Sequence, residues 1–265
     1  MIEMELNEIQ EESFVVLKKI KEICENYKIQ YWLFAGTLLG AIRGGDFIPW
    51  DDDIDVCMPR KDYEKFIAIC MNNPGFLKGF KLCYYKSCPN YAYPITRLSR
   101  DGFYFDSYIM EYGLGVFVDI YPLDGFKEDS NLLESLSKKK RTIGRMIAKK
   151  QPPKFSKIKF IILSFLQIFY RIIPLKKRLE DLDLSAQKYD FESNILCGNI
   201  IWEPYAILKR RWFDGTLMWS FHGEQFPIPK HYNELLHEMY GNYLELPPID
   251  QQVPNHDYKM YRLEG

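Results

Sequence analysis

Apolar residues recur at helical spacing along the first stretch of the chain. Leu6, Ile9, Val16, Leu17, Ile20, Cys24 and Tyr27 share one face with charges between them, which predicts an amphipathic helix over residues 6–27. The pattern then tightens into Tyr31-Trp32-Leu33-Phe34-Ala35, a continuous apolar run ended by Gly36, which reads as a buried strand. Thr37 is placed as the N-cap of a short helix through Leu38–Arg43, and Gly44-Gly45 breaks it. From Asp53 the chain alternates polar and apolar through Val56 with the period of a strand. Pro59 and Arg60 end that strand, and residues 62–71 return to helical spacing. Further strands are predicted at 80–85, 93–98 and 115–121, the last closed by Pro122-Leu123-Asp124-Gly125 as a turn. Residues 130–190 are Lys-rich and helical, interrupted at Pro152-Pro153 and Pro174. Short mixed elements resume from 197, and a helix over 231–240 ends at Gly241. There is no internal repeat. The pattern predicts one domain over residues 1–265, with a helical insertion at about 128–195.

Composition narrows the function classes. With 265 residues, 47% of them hydrophobic, the chain can bury one sizeable core. A net charge of −1 gives no global field for nucleic acid or an anionic membrane, so a charged site must be local. Six cysteines are scattered with neither C-x-x-C nor zinc spacing, and they read as reduced thiols of a cytoplasmic protein. The first residues are acidic and polar, unlike a secretory signal or a transit peptide.

The candidate chemistry lies in the carboxylates. Asp53 and Asp55, two apart on a predicted strand, project from one face while Ile54 and Val56 point inward. Two carboxylates held this close either share a proton or bind a cation, and an all-oxygen set suits Mg²⁺ or Mn²⁺. An acidic turn bathed in water is the competing explanation for Asp51-Asp52-Asp53 taken alone. Asp51 and Asp52 precede the alternation and are expected to matter less, with Asp52 directed away from Asp53. Asp119 sits among Phe117, Val118, Ile120 and Tyr121, where a carboxylate is costly unless paired or bound to metal. A salt bridge would account for it as well as a cation would. Gly36-Thr37, at a strand-to-helix turn, can offer backbone N–H groups to a phosphate.

These residues fall within FAGTLLGAIRGGDFIPWDDDIDVCMPRKDYEKF, which closely resembles the signature of the LicD-type phosphotransferases, a family that includes the fukutin-type proteins. GVFVDIYPLDGF resembles the second block of that family, and FPIPKHYNELLHEMYGNYLELPP with His256 its C-terminal block. Where family members often carry a basic residue after the Ala-Ile-Arg stretch, this chain has Gly44-Gly45.

The resemblance implies an α+β nucleotidyltransferase fold, a small mixed sheet flanked by helices. It implies metal ligation by Asp53, Asp55 and Asp119, with Asp119 also the candidate general base. Phosphate contacts fall to Gly36 and Thr37, with Arg43 and Arg97 as candidate clamps, although a structural ion pair explains either arginine equally. His256 rests on the family match alone. The implied reaction moves a phospho-alcohol from a CDP-activated donor, CDP-choline first, to a hydroxyl of a surface glycan: lipopolysaccharide, teichoic acid or capsule. Two alternatives stay open: attack on the α-phosphorus of a nucleoside triphosphate, or a binding protein with a retired site. Tyr31, Trp32 and Trp50 are candidates for stacking on the base, with core packing as the alternative. No nucleic-acid partner is expected.

One stretch stands outside that scheme. From Phe160 to Ile173 runs an apolar segment flanked by Lys154, Lys157 and Lys159 and by Lys176, Lys177 and Arg178. At ~1.5 Å per residue it is too short to span a bilayer. It is either a helix buried against the domain or an interfacial helix through which residues 154–178 touch the inner face of the membrane, where a lipid-linked acceptor would lie.

Overall fold

The computed structural model describes all residues except 89–90, 107–112, 129–130, 148–155, 171, 203–204, 255–257 and 265. The chain ends meet. Strand β1 (Ile2–Glu3) pairs antiparallel with a strand near the C-terminus, and helix α1 (Leu6–Tyr27) follows it. The predicted apolar stripe of α1 is inside, with Val16, Leu17 and Ile20 fully buried.

Next come β2 (Trp32–Leu33), α2 (Ala35–Gly44), β3 (Asp55–Pro59), α3 (Arg60–Asn72) and β4 (Phe80–Cys83). They are followed by β5 (Thr96–Arg100), β6 (Phe103–Asp106) and β7 (Phe117–Phe126). Helices α4 (Leu132–Ile147), α5 (Lys157–Tyr170) and α6 (Leu175–Ala186) make up the insertion. Strands β8 (Leu196–Gly198), β9 (Leu208–Lys209), β10 (Thr216–Phe221) and β11 (Glu224–Pro229), helix α7 (Tyr232–Tyr240) and strand β12 (Lys259–Arg262) complete the chain. The fold is α+β around a mixed sheet in the order β2-β3-β7-β5-β4. Only β3 and β7 run parallel; the other pairs in that order are antiparallel. Separately, β12 bridges β1 and β6, and β10–β11 form a hairpin. The hairpin turns through His222 and Gly223, both at positive φ (49° and 79°), as a two-residue loop that follows the strand twist requires.

Three expectations change. Thr37 is not an N-cap: the helix starts three residues earlier than expected, at Ala35, with Phe34 ahead of it. Bonds from both Phe34 and Thr37 to the backbone of Asp55 set that start. The strand predicted at 93–98 is Thr96–Arg100. The turn at Pro122–Gly125 does not form, and β7 runs through it to Phe126.

Two contacts carry β7 onward. Arg60, at the start of α3, grips both oxygens of buried Asp124, with Nε donating to Oδ1 at 2.7 Å and Nη2 to Oδ2 at 2.5 Å. Gly125 lies against the backbone of residues 189–190, where a Cβ would sit 2.3 Å from the Asp190 carbonyl oxygen. The same Arg60 donates through Nη1 to Asp183 of α6 at 2.9 Å, and the Tyr85 hydroxyl donates to Asp183 at 3.1 Å. A buried ionic network thus ties the insertion to the sheet. All six cysteines are buried and free.

Candidate active site

The parallel pairing of β3 with β7 sets Asp55 directly opposite Asp119, and the antiparallel pairing of β7 with β5 sets Arg97 on the other side of Asp119. A row of alternating charge therefore crosses the sheet. Asp53, predicted to share the strand, instead lies two residues before β3 begins at Asp55, and it completes the group from the preceding loop. Ligand oxygens of Asp53, Asp55 and Asp119 lie within 4.8 Å of one another. Carboxylate oxygens of Asp51, Asp52 and Asp53 also lie within 4.8 Å of one another, so Asp52 is not directed away from Asp53 as the sequence suggested.

The acidic run is not a solvated turn. Asp51 and Asp52 are buried. Their backbone is pinned from remote parts of the chain: Gln10 Nε2 donates to the Asp51 carbonyl at 2.8 Å, and the Tyr258 hydroxyl to the Asp52 carbonyl at 3.3 Å. Asp55 is latched to the start of α2. Its N–H donates to Thr37 Oγ1 at 2.8 Å, and its carbonyl accepts the Phe34 N–H at 3.0 Å. The Thr37 hydroxyl is thus committed to the strand. Gly36 has its own steric reason, since a Cβ there would lie 2.5 Å from Asp51 Oδ2.

Asp119 shows the salt bridge and the carboxylate cluster together. Arg97 holds it as a fork, Nε to Oδ1 and Nη2 to Oδ2 (3.1 Å), and the Tyr121 hydroxyl lies 3.5 Å from Oδ2. The guanidinium of Arg97 is stacked between Tyr93 and Phe117, 3.8 and 4.1 Å from their ring centres. Arg97 is thereby a partner of Asp119, set so that the carboxylate cannot swing.

Asp55 is the electrostatic anomaly. Burial, then the charges of Asp53, Asp119 and Asp51, push its carboxyl well above the ordinary carboxylate range, with the Tyr121 hydroxyl acting in the opposite direction. Its Oδ1 is buried and has no hydrogen-bond partner among the described residues. A hard cation would satisfy that oxygen and offset the mutual repulsion of the three carboxylates, so the residues present fit Mg²⁺ or Mn²⁺. Burial and the same carboxylates raise the Tyr121 phenol, which keeps its proton to donate.

The remaining predicted residues are less central. Arg43 donates to the backbone carbonyls of Tyr243 (2.6 Å) and Glu245 (2.7 Å), fastening α2 to the C-terminal segment. His256 lies outside the described residues. Tyr31 and Trp32 are core residues, and the Trp32 indole N–H bonds Thr216 at 3.0 Å; Trp50 keeps partial exposure. His222 is bonded to Asp46 and Glu11, remote from the carboxylates in sequence and in partners.

Three tyrosines were not foreseen. Tyr121 follows Asp119 by two residues on one strand, so the strand period pointed to it. Tyr258 stacks on Phe105 and Phe117 and is raised by burial and by Asp53 and Asp52. Tyr240, at the end of α7, keeps 40% exposure, yet desolvation of its phenol and the charges of Asp55, Asp51 and Asp53 push it upward. Neither of these two has a local signal. Tyr240 also lines a cavity of about 450 Å³ with Lys140, Tyr205, Ile207, Glu238 and Met239.

Comparison with known proteins covers the same ground. Residues 28–149, which include all of these carboxylates, match the family model described as the LicD/FKTN/FKRP nucleotidyltransferase domain. The chain is 29% identical over 258 residues to the lipopolysaccharide cholinephosphotransferase LicD of Haemophilus influenzae, covering 94% of each chain. It is 33% identical over 117 residues to an uncharacterised protein of Rickettsia typhi, covering 44% of this chain and 35% of that one. It is 53% identical over 40 residues to the human ribitol 5-phosphate transferase FKRP, covering 15% of this chain and 8% of that one.

Proposed function

We propose that this chain, similar over residues 28–149 to the LicD/FKTN/FKRP nucleotidyltransferase domain and over 94% of its length to a LicD cholinephosphotransferase, is a LicD-type transferase that moves a phospho-alcohol, phosphocholine first, from a CDP-activated donor to a hydroxyl of a surface glycan such as lipopolysaccharide. The observation that carries this reading is the carboxylate set on neighbouring strands with Asp55 Oδ1 left without a partner. Asp53, Asp55 and Asp119 would hold Mg²⁺ or Mn²⁺, which when bound neutralises charge on the donor pyrophosphate and on the leaving CMP.

The other roles belong to the chain itself. Arg97 and Tyr121 fix Asp119 in place. Both oxygens of Asp119 are engaged, so acceptance of the hydroxyl proton is assigned to Asp53, the least buried of the three, in place of Asp119. Gly36 lets Asp51 approach the start of α2, and the N–H groups of that first turn are the site for a donor phosphate. The cavity beside Tyr240 is assigned to the donor alcohol or to the glycan.

The test is product analysis with Mg²⁺, a lipopolysaccharide acceptor, and CDP-choline, CDP-ethanolamine, CDP-glycerol and CDP-ribitol in turn. The expected result is acceptor-dependent release of CMP that stops when the metal is chelated. Release of pyrophosphate from a nucleoside triphosphate, with no CMP from any of the four donors, would replace this reading by nucleotidyl transfer.

A further inference from the structure

Helix α5 resolves the two readings left open by the apolar run at 160–173. It does not lie buried. Leu163 (5% exposed) and Gln167 face α4, where Gln167 Nε2 donates to the Arg145 carbonyl at 2.9 Å. On the opposite side Ile158, Ile161, Ile162, Phe165, Ile168 and Phe169 form one stripe at i, i+3, i+4 and i+7 spacing. Phe165 is 70% exposed and Ile161 68%. A contiguous exposed stripe of this kind exceeds the scattered apolar residues of an ordinary surface.

The surrounding charge identifies the occupant. Between Glu134 and Glu180 the chain carries fourteen lysines and arginines and no aspartate or glutamate, in a protein of net charge −1. Lys157 and Lys159, both exposed, fall by helical spacing on the two flanks of the stripe, and exposed Lys176 and Lys177 stand beyond its far end. A second copy packed on this stripe would bring these like charges together, whereas lipid phosphates complement them. A polyanion without an acyl layer would leave the isoleucines and phenylalanines in water.

We propose that α5 is an interfacial helix that docks the protein on an anionic lipid bilayer, with the Ile161–Phe165 stripe in the acyl boundary and the flanking lysines on lipid phosphates. This assignment stands independently of the reaction catalysed. Leu163 is buried, so Leu163→Glu would report on folding, and the exposed Phe165 and Ile161 are the informative positions.

The experiment is co-sedimentation of the full chain with vesicles of equal parts phosphatidylglycerol and phosphatidylcholine, and with phosphatidylcholine alone. At low salt the protein pellets with the anionic vesicles, and high salt releases most of it. Phe165→Glu and Ile161→Glu each reduce vesicle binding about tenfold, while their melting temperatures stay at that of the parent. Lys176→Gln with Lys177→Gln lowers binding to anionic vesicles alone. The proposal is overturned if the parent stays in the supernatant at low salt. It is equally overturned if Phe165→Glu binds like the parent, which would mean adsorption by charge only, or if light scattering shows a dimer that Phe165→Glu splits.

Discussion

Replacing Asp55 by asparagine removes a buried negative charge that the metal-free protein cannot satisfy. Asp55 is 5% exposed, its Oδ1 has no partner, and ligand oxygens of Asp53 and Asp119 lie within 4.8 Å. At that separation one like-charge pair costs about 3.5 kcal/mol at an effective dielectric of ~20. Arg97 pairs with Asp119, and of the charges acting on Asp55 that of Asp53, which is partly solvated, is the largest. The penalty also has a ceiling. The carboxyl escapes repulsion by keeping its proton, and doing so from its ordinary titration range up to pH 7 costs about 4 kcal/mol at most. Asp55→Asn should therefore stabilise the metal-free protein at pH 7 by about 1–4 kcal/mol, a rise of roughly 2–4 °C in Tm per kcal/mol for a chain of this size.

The sign of the pH dependence follows. Because the folded pKa of Asp55 is raised, the unfolded chain releases the proton first as pH rises. The metal-free parent then loses stability from the ordinary carboxylate range up through the raised value. The variant lacks that loss, so the Tm difference between the two widens with pH. Mg²⁺ should raise the Tm of the parent and leave the variant unmoved, and the variant should release no CMP. The assay is differential scanning fluorimetry from pH 5 to 9 with EDTA or Mg²⁺, with circular dichroism as the folding control. A metal-free variant less stable than the parent at pH 7, or one that Mg²⁺ stabilises as fully as the parent, would refute the assignment of Asp55 to a cation.

Asp119→Asn should behave in the opposite sense, because it removes the carboxylate charge that the buried guanidinium of Arg97 grips; a loss of about 3–5 kcal/mol in urea unfolding is expected together with loss of activity. Gly36→Ala drives a Cβ into Asp51 Oδ2 and should lower kcat at least tenfold, with Tm within a few degrees of the parent; unchanged kcat would separate Asp51 from the site. Arg60→Met leaves the buried carboxylates of Asp124 and Asp183 without their shared cation, so chemical denaturation should show about 3–5 kcal/mol of destabilisation, with the insertion becoming the most protease-sensitive region.

Local periodicity carried the sequence-level reading where one segment decides its own structure. The stripe of α1, the alternation after Asp53 and the apolar setting of Asp119 each follow from side-chain period and the cost of burying charge, and they mark Asp53, Asp55 and Asp119 from sequence alone. What the sequence could not decide depends on remote partners. Asp119 is paired with Arg97 because β5 lies beside β7, and a strand register is not written in either strand alone. Pro122–Gly125 has the composition of a turn, yet it extends as strand because Arg60 neutralises Asp124 and the backbone at 189–190 covers Gly125. Tyr258 reaches the backbone of Asp52 across 206 residues of sequence, and Tyr240 feels the charges of Asp55, Asp51 and Asp53, both brought there by packing of the C-terminal elements. The composition of α5 was equally compatible with a buried and an exposed helix, since its apolar residues surround the axis. Only its placement against α4 fixed which stripe is covered, because burial belongs to the neighbours a helix acquires and not to its own sequence.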